Sequence, residues 1–333
     1  MRRLVWFFLS GAVLWGVWWM LVSTAVETGL NGWLDDRRAV GWQADIDGMH
    51  ATGFPGRIDL DLGTINLDDP ETGVALTADD LRITALSYWP GDVTVLFPQT
   101  PIGISTPDVA LNLTASNAQA SLRLHPGTTL QLDHLNATSG PWQIDFPHGK
   151  LLNAQGFSAE MTQGDLAETY RFAIEASQLV PGGLVRTALS LPPDWPLAVE
   201  AMMADVTITF DTPLDRFTLE DRRPQPREVL VERVSLIWGP LKTSLKGRVR
   251  IDDAGVPDGQ LDLLVENWRV AFDLAQKSGA LAPNMRQQAE IMLNALANLG
   301  DDPAQLDLKL RFVEGRVFLG PVLIGPAPRL LLP

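Results

Sequence analysis

The chain of 333 residues is 46% hydrophobic and 20% charged, an ordinary globular balance with length enough for a sizeable core. All 40 acidic residues follow residue 26 but only 24 of the 26 basic ones do, so the part beyond carries 24 minus 40, or −16, charges, a surface that repels nucleic acid and anionic head groups. With no cysteine, disulfide staples and thiol catalysis are excluded.

Arg2 and Arg3 precede an uncharged run, residues 4–26, that contains Trp6, Trp15, Trp18 and Trp19. As a helix it is long enough to cross a bilayer. Basic residues before it, and Glu27, Asp35 and Asp36 after it, orient it by the positive-inside rule. Residues 1–3 are then a cytoplasmic tail, 4–26 a transmembrane signal anchor, and 27–333 an exported domain in a bacterial periplasm. The rival reading is secretion after cleavage near Ala25, where Ser23 and Ala25 are small. The apolar run exceeds a signal core of roughly 7 to 15 residues, which favours a retained anchor in the inner membrane.

Helical pattern continues to about Arg38, and period-two alternation then takes over. Ile58, Leu60 and Leu62 point one way, Arg57, Asp59 and Asp61 the other. Gly63 shifts the phase as a bulge would, and Ile65 and Leu67 resume it. Further short strands are expected around Ile83, Val95, Leu111, Leu122, Leu132 and Ile144, separated by turns such as Asp68-Asp69-Pro70, Trp89-Pro90-Gly91 and His125-Pro126-Gly127. Connections this short favour antiparallel neighbours, hence a meander.

The second half continues with strands around Phe172, Ile208, Val231, Val249 and Leu263, and with a short helical piece at 214–221. The charged, proline-rich 221–227 reads as a loop. The period then changes to that of a helix over Trp268 to Lys277 and over 283–299, where Met285, Ala289, Met292, Leu296 and Leu299 share a stripe. This predicts a helical hairpin, 268–299, turned at Ser278-Gly279, with Pro283 in a first turn and Gly300 as a cap. Two final strands, around Leu310 and Phe318, meet at Glu314-Gly315.

Roughly fifteen strands exceed what one twisted open sheet usually holds, so the sheet should curl on itself. The expected fold is mainly β: a long curled antiparallel meander, groove-like or barrel-like, with an N-terminal transmembrane helix and a helical hairpin before the last two strands. No linker separates compact domains. Gly53-Phe54-Pro55-Gly56 before "RIDL" is echoed by Gly255-Val256-Pro257-Asp258-Gly259 before "QLDL". Each copy follows a short acidic strand, Ala44 to Asp47 in the first and Arg250 to Asp253 in the second. The echo suggests related hairpins opening two pseudo-repeat halves, 41–150 and 151–333.

The order Gly41-Trp42, "GFPGRIDL", "LSYWPGDVTVLFP" (residues 86–98), "GVPDG" and "EGRVFLGPVLIG" (residues 314–325) resembles the bacterial family known as domain of unknown function 2125. The likeness covers nearly all of the exported part. The arginine usual after GFP-x in that family is here Arg57, and its aromatic–proline pair is Tyr88-Trp89-Pro90. That resemblance implies no assigned activity. More distantly, an anchor helix before a long meander is similar to the AsmA-like envelope proteins, a likeness that implies a curled sheet holding or passing lipid chains.

No catalytic, cofactor or metal constellation emerges. His50, His125, His134 and His148 lack the spacing of a zinc helix, and no nucleophile elbow, phosphate loop or dinucleotide fingerprint occurs. Asp59 and Asp61 read as a solvated acidic face, Asp252, Asp253 and Asp258 as turn chemistry without the spacing of an EF-hand loop, and Arg57 as the partner of an acid on a neighbouring strand. The chain is therefore expected to bind rather than catalyse, without cofactor. The residues expected to line an apolar core or groove are Leu60, Leu62, Val95, Phe97, Leu111, Ile208, Leu263, Met285, Met292, Leu296 and Leu310, with a lipid as candidate ligand. The helical hairpin would pack over the sheet or close as a lid, its methionines adapting to an apolar chain. The alternative is a structural envelope protein that recruits protein partners through exposed sheet edges.

Overall fold

The computed structural model describes residues 2–147, 149–219, 223–277, 286–300, 302–320 and 322–332. His148, Met285, Pro283 and the hairpin turn at Ser278-Gly279 lie outside the described residues. The chain is mainly β, with 22 described strands in one large antiparallel sheet that does not close. That exceeds the fifteen expected: the run from Ile58 to Leu67, read as one strand, is two, and strands such as Val74–Ala78, Ile102–Ser105 and Val322–Pro326 were not expected. Two compact units divide it: residues 1–126 with 137–148, and residues 127–136 with 149–333.

In the first unit, helix α1 (Arg2–Ala39) is followed by β1 (Gln43–Ile46), β2 (His50–Thr52), β3 (Arg57–Leu62), β4 (Ile65–Asp69), β5 (Val74–Ala78), β6 (Leu81–Leu86), β7 (Trp89–Leu96), β8 (Ile102–Ser105), β9 (Ala110–Ala115) and β10 (Gln119–Leu124). β11 (Leu132–Ser139), most of which belongs to the second unit, leads on to β12 (Trp142–Phe146) of the first. One ladder runs β1–β4–β5–β8–β9–β12, a second β2–β3–β6–β7–β10. The apolar side of β3 packs Leu60 and Leu62 against Ile65, Leu67 and Leu76 of the other ladder, and Val26 and Leu30 of α1 join them.

Gly63 is a corner rather than a bulge. β3 belongs to one ladder and β4 to the other, and the chain crosses between them at Gly63, whose nitrogen donates to the Asp47 carbonyl at 2.9 Å. A Cβ there would stand 2.5 Å from that carbonyl oxygen, so glycine is required by close approach.

The acidic side of β3 is not solvated as expected. Asp59 is 7% exposed, and one of its oxygens accepts from Arg57 Nε at 2.8 Å. Arg57 thus pairs within its own strand and not across to a neighbour, while Asp61 pairs with Arg82 of β6.

The second unit contains β13 (Gly149–Ala154), β14 (Gly156–Gln163), β15 (Thr169–Pro181), the short helix α2 (Gly183–Ala188), β16 (Val199–Phe210), a 3-10 turn (Arg216–Leu219) and β17 (Pro226–Trp238). β18 (Leu241–Ile251), β19 (Pro257–Glu266), α3 (Trp268–Lys277), α4 (Arg286–Ala297), β20 (Gln305–Val313), β21 (Arg316–Leu319) and β22 (Val322–Pro326) complete it. Strands β14 to β22 follow one another in antiparallel order, as a meander should. Residues 226 and 227, expected in a loop, open β17, and β22 was not foreseen from the sequence.

α3 and α4 form the expected pair of helices. Arg269 donates to Asn294 Oδ1 at 2.6 Å, and Arg286 pairs with Asp273 at 3.1 Å. The α4 face that packs on β19, β20 and α3 is Ala289, Leu293, Leu296 and Ala297, around buried Trp268, Phe272 and Leu306. Leu299, assigned to this stripe from periodicity, is instead 84% exposed.

The glycine–proline echoes both turn hairpins, with Gly53 at φ 97° and Gly255 at φ 76°, backbone that glycine adopts without strain. Their geometry differs. Pro55 lies within the β2–β3 turn, whereas Pro257 is the first residue of β19 and faces Ile251 of β18. The acidic strand Ala44 to Asp47 ahead of the first copy corresponds to β1, which pairs with β4 and takes no part in that hairpin.

Candidate apolar site

The register of the second unit gathers apolar residues on one face of the sheet. Phe172 of β15 faces Val206 of β16, which faces Val231 of β17; Leu261 of β19 faces Leu310 of β20, which faces Leu319 of β21. A parallel row joins Ile174, Ala204, Val234, Leu245, Leu263 and Leu308. The step from Val231 to Val234 would put these valines on opposite faces in a regular strand. A bulge at Glu232 and Arg233 takes up the extra residue and returns Val234 to the apolar side.

The opposite face is charged and paired. Arg171 grips Asp205 with two hydrogen bonds, at 2.8 and 2.6 Å, and Arg248 and Arg250 flank Glu228. The Arg171 hydrogen bonds hold the Asp205 carboxyl below its ordinary value, and the same contacts raise Arg171. Such alternation commits each strand to one orientation, since a one-residue slip would expose the apolar set and bury the ions.

Both ends of the apolar face are covered. At one end Tyr170, fully buried, meets Phe210 edge-on at 6.1 Å and accepts from the Leu214 nitrogen at 3.0 Å, and, three strands along, Val249 and Ile251 of β18 are buried too. Burial raises its phenol above the ordinary value. At the other end Trp195 meets Trp238 edge-on at 5.8 Å, Trp238 donates to the Pro196 carbonyl, and α3 and α4 close over Val265, Leu306 and Leu308. Between these ends Met161, Phe172, Val206, Leu245, Leu261 and Leu310 are half-buried. Across β14 to β20, six steps of about 4.8 Å give a floor about 29 Å wide. A cleft of about 790 Å³ lies where α4 meets β19 and β20, lined by Leu264, Leu296, Ala297, Leu299, Asp307 and Leu308.

The residues expected to line a groove fall into different settings. Leu60 (2% exposed) and Leu62 belong to the filled core of the first unit. Val95 pairs with Ile83 and Ala120 in one ladder, and Leu111 with Ile104 in the other. Phe97, with Leu62, Asp61 and Arg82, borders a cleft of about 420 Å³. Ile208, Leu263 and Leu310 lie on the apolar face of the second unit; Leu296 packs from α4 onto the cluster around Trp268 and Leu306, and Met292 is half-buried outside that cluster. Asp252 makes the expected turn chemistry, its Oδ1 accepting from the Ala254 and Val256 nitrogens, while Asp253 pairs with Arg227. His134 Nδ1 meets Thr162 Oγ1 at 3.2 Å. Among the described residues no group of three His, Asp or Glu could hold a metal.

Residues 19–328 match the family described as "Uncharacterized protein conserved in bacteria (DUF2125)". The chain belongs to that family. The DUF2125 match begins inside α1 and ends beyond β22, so it takes in the apolar face, its covering helices and the GFPGR hairpin alike. No curated protein matches the chain. Among the described residues α1 is the one helix long and apolar enough to cross a membrane, with residues 10–39 meeting that test; a cleaved signal near an N-terminus shares those properties.

Proposed function

We propose that this DUF2125 protein is a non-catalytic, membrane-anchored protein of the bacterial envelope whose second unit holds or passes an apolar chain such as a lipid acyl tail. The observation that carries the reading is the apolar floor: strands closed off at both ends by aromatic clusters, with Phe172, Val206, Leu261 and Leu310 only partly buried between them. A sheet face left open to water loses about 0.8 kcal/mol of burial for every CH2 an occupant would cover, so an acyl chain is held by area and not by a polar anchor. The arrangement accords with the distant likeness to AsmA-like proteins. Retention of the anchor is supported by α1 running without a break through Ala25 and by Ser23 packing as a buried residue.

The test uses the full chain in vesicles containing a phospholipid with a photoactivatable acyl chain. Labelled residues should include Val206, Leu261 and Leu310 on the floor as well as α1. Label confined to α1 would reject the binding role.

A second reading, recruitment of protein partners, is favoured by β22, which pairs with β21 while presenting exposed Val322, Leu323 and Ile324. Such a strand suits addition of a partner strand. Under that reading, charged substitution at Ile324 abolishes a specific cross-link in cells and leaves lipid labelling unchanged.

A further inference from the structure

We infer that the end of the first unit formed by the Gly53–Arg57 turn and the Ser87-Tyr88 turn is seated in the outer leaflet of the membrane that α1 crosses, with lipid itself as the partner. The inference rests on α1 being a retained anchor with its N-terminus in the cytoplasm. Three indoles of α1 bind these turns: Trp15 donates to the Pro55 carbonyl at 2.9 Å, Trp18 to that of Ser87 at 3.1 Å and Trp19 to that of Arg57 at 2.8 Å. The Trp19 ring also meets Phe54 edge-on at 5.6 Å.

Depth follows from helix geometry. At about 1.5 Å per residue, Trp15, Trp18 and Trp19 lie about 17, 21 and 23 Å beyond residue 4, inside a hydrocarbon layer about 30 Å thick. Groups bonded to them sit in its outer half. Had α1 merely carried the unit above the surface, the contacts would begin after residue 24.

The turns are also built for that medium. Irregular backbone survives at membrane depth only when its polar groups are satisfied within the protein. Here Arg57 nitrogen donates to the Gly53 carbonyl, Ser87 nitrogen to the Gly56 carbonyl and Ser87 Oγ to the Pro55 carbonyl, while the indoles bind that Pro55 carbonyl and two more, of Arg57 and Ser87. Ser87 is fully buried. The large side chains presented outward are Phe54 (56% exposed), Tyr88 (64%) and Arg57, whose charge is paired with Asp59, and the same stretch of α1 exposes Val13, Val17 and Met20. Aromatic rings favour this boundary layer.

Because the chain has no cysteine, single cysteines place a fluorophore without background. The full chain carrying Phe54→Cys, Tyr88→Cys, Val13→Cys or Glu71→Cys is labelled with an environment-sensitive dye in phosphatidylcholine–phosphatidylglycerol vesicles. Glu71 follows Pro70, which lies beside Gly41 at the far end of α1. Labels at 54 and 88 should be blue-shifted and lose most emission to acyl-chain nitroxide lipids, as at 13, while the label at 71 responds only to aqueous iodide. Iodide quenching at 54 and 88 with lipid quenching at 13 would overturn the seating and leave the anchor standing. Iodide quenching at 13 as well would overturn both. Shielding of 54 and 88 from both quenchers would mean a protein interface and also overturn the seating; Trp19→Phe, which keeps the ring but loses the donor, should weaken the lipid response at 54 if the indole bond sets the depth.

Discussion

Asp205 and Tyr170 stand on opposite faces of neighbouring strands, and each titrates away from its ordinary value for its own reason. Asp205 is held low by Arg171, so its folded value lies beneath its unfolded one. The stability it adds is present above the unfolded value of about 4 and is lost as pH falls through the lower folded one. Arg171 is largely exposed and solvent screens the pair, so Asp205→Asn should cost about 0.5–1 kcal/mol at neutral pH and progressively less as the pH is lowered into the acid range, read from urea midpoints. Tyr170 is raised by burial, so its contribution is present below the unfolded value of about 10 and is lost as pH climbs through the folded one. Tyr170→Phe should remove that alkaline loss and, by stranding the Leu214 nitrogen, cost about 1–3 kcal/mol at pH 7. Gly63→Ala should cost about 1–3 kcal/mol in the same assay, because its Cβ meets backbone. The sequence showed Gly63 to be a break in phase. That the break is a corner between two ladders depends on Asp47, sixteen positions earlier, and no local pattern carries that information.

At the level of elements, α4 shows where periodicity stops being informative. Its sequence offers two overlapping apolar stripes, one through Ala289, Met292, Leu296 and Leu299 and another through Ala289, Leu293, Leu296 and Ala297, and both satisfy a helical period. The choice is made by what lies beneath: Leu306 and Trp268 receive the small Ala297 and the branched Leu293, and Leu299, beyond the last residue of α4, is left exposed at the rim of the cleft. Leu293→Ala should therefore lower stability by about 1–3 kcal/mol, whereas Leu299→Ala should stay within about 0.5 kcal/mol, measured by thermal unfolding of the two variants side by side. The strands were more legible, since the Ile58, Leu60, Leu62 alternation and that of Phe172 and Ile174 reappear as buried or half-buried sides. Their number was not. In "INLDDPETGVALTADDLRITAL" three strands, β4, β5 and β6, are separated by turns that polar alternation alone does not resolve.

For the molecule as a whole, a mainly β chain was readable from period-two patterning, and its antiparallel order from the brevity of its turns. The apolar floor was not, because it is a property of register: Phe172, Val206, Leu261 and Leu310 are ordinary strand residues until pairing sets them side by side. The expected groove residues accordingly mixed core, as at Leu60 and Leu62, with floor, as at Leu263 and Leu310. What the sheet contributes is a charged, ion-paired face that fixes register and an apolar face that, among the described residues, the protein's own helices cover at the ends. The most direct test of that account places a photo-cross-linking amino acid at Leu261 or, on the opposite face, at Lys246, in the full chain in living cells. The account predicts lipid adducts at 261 and none at 246; adducts of protein mass at 261, or equal lipid labelling of the two faces, would contradict it.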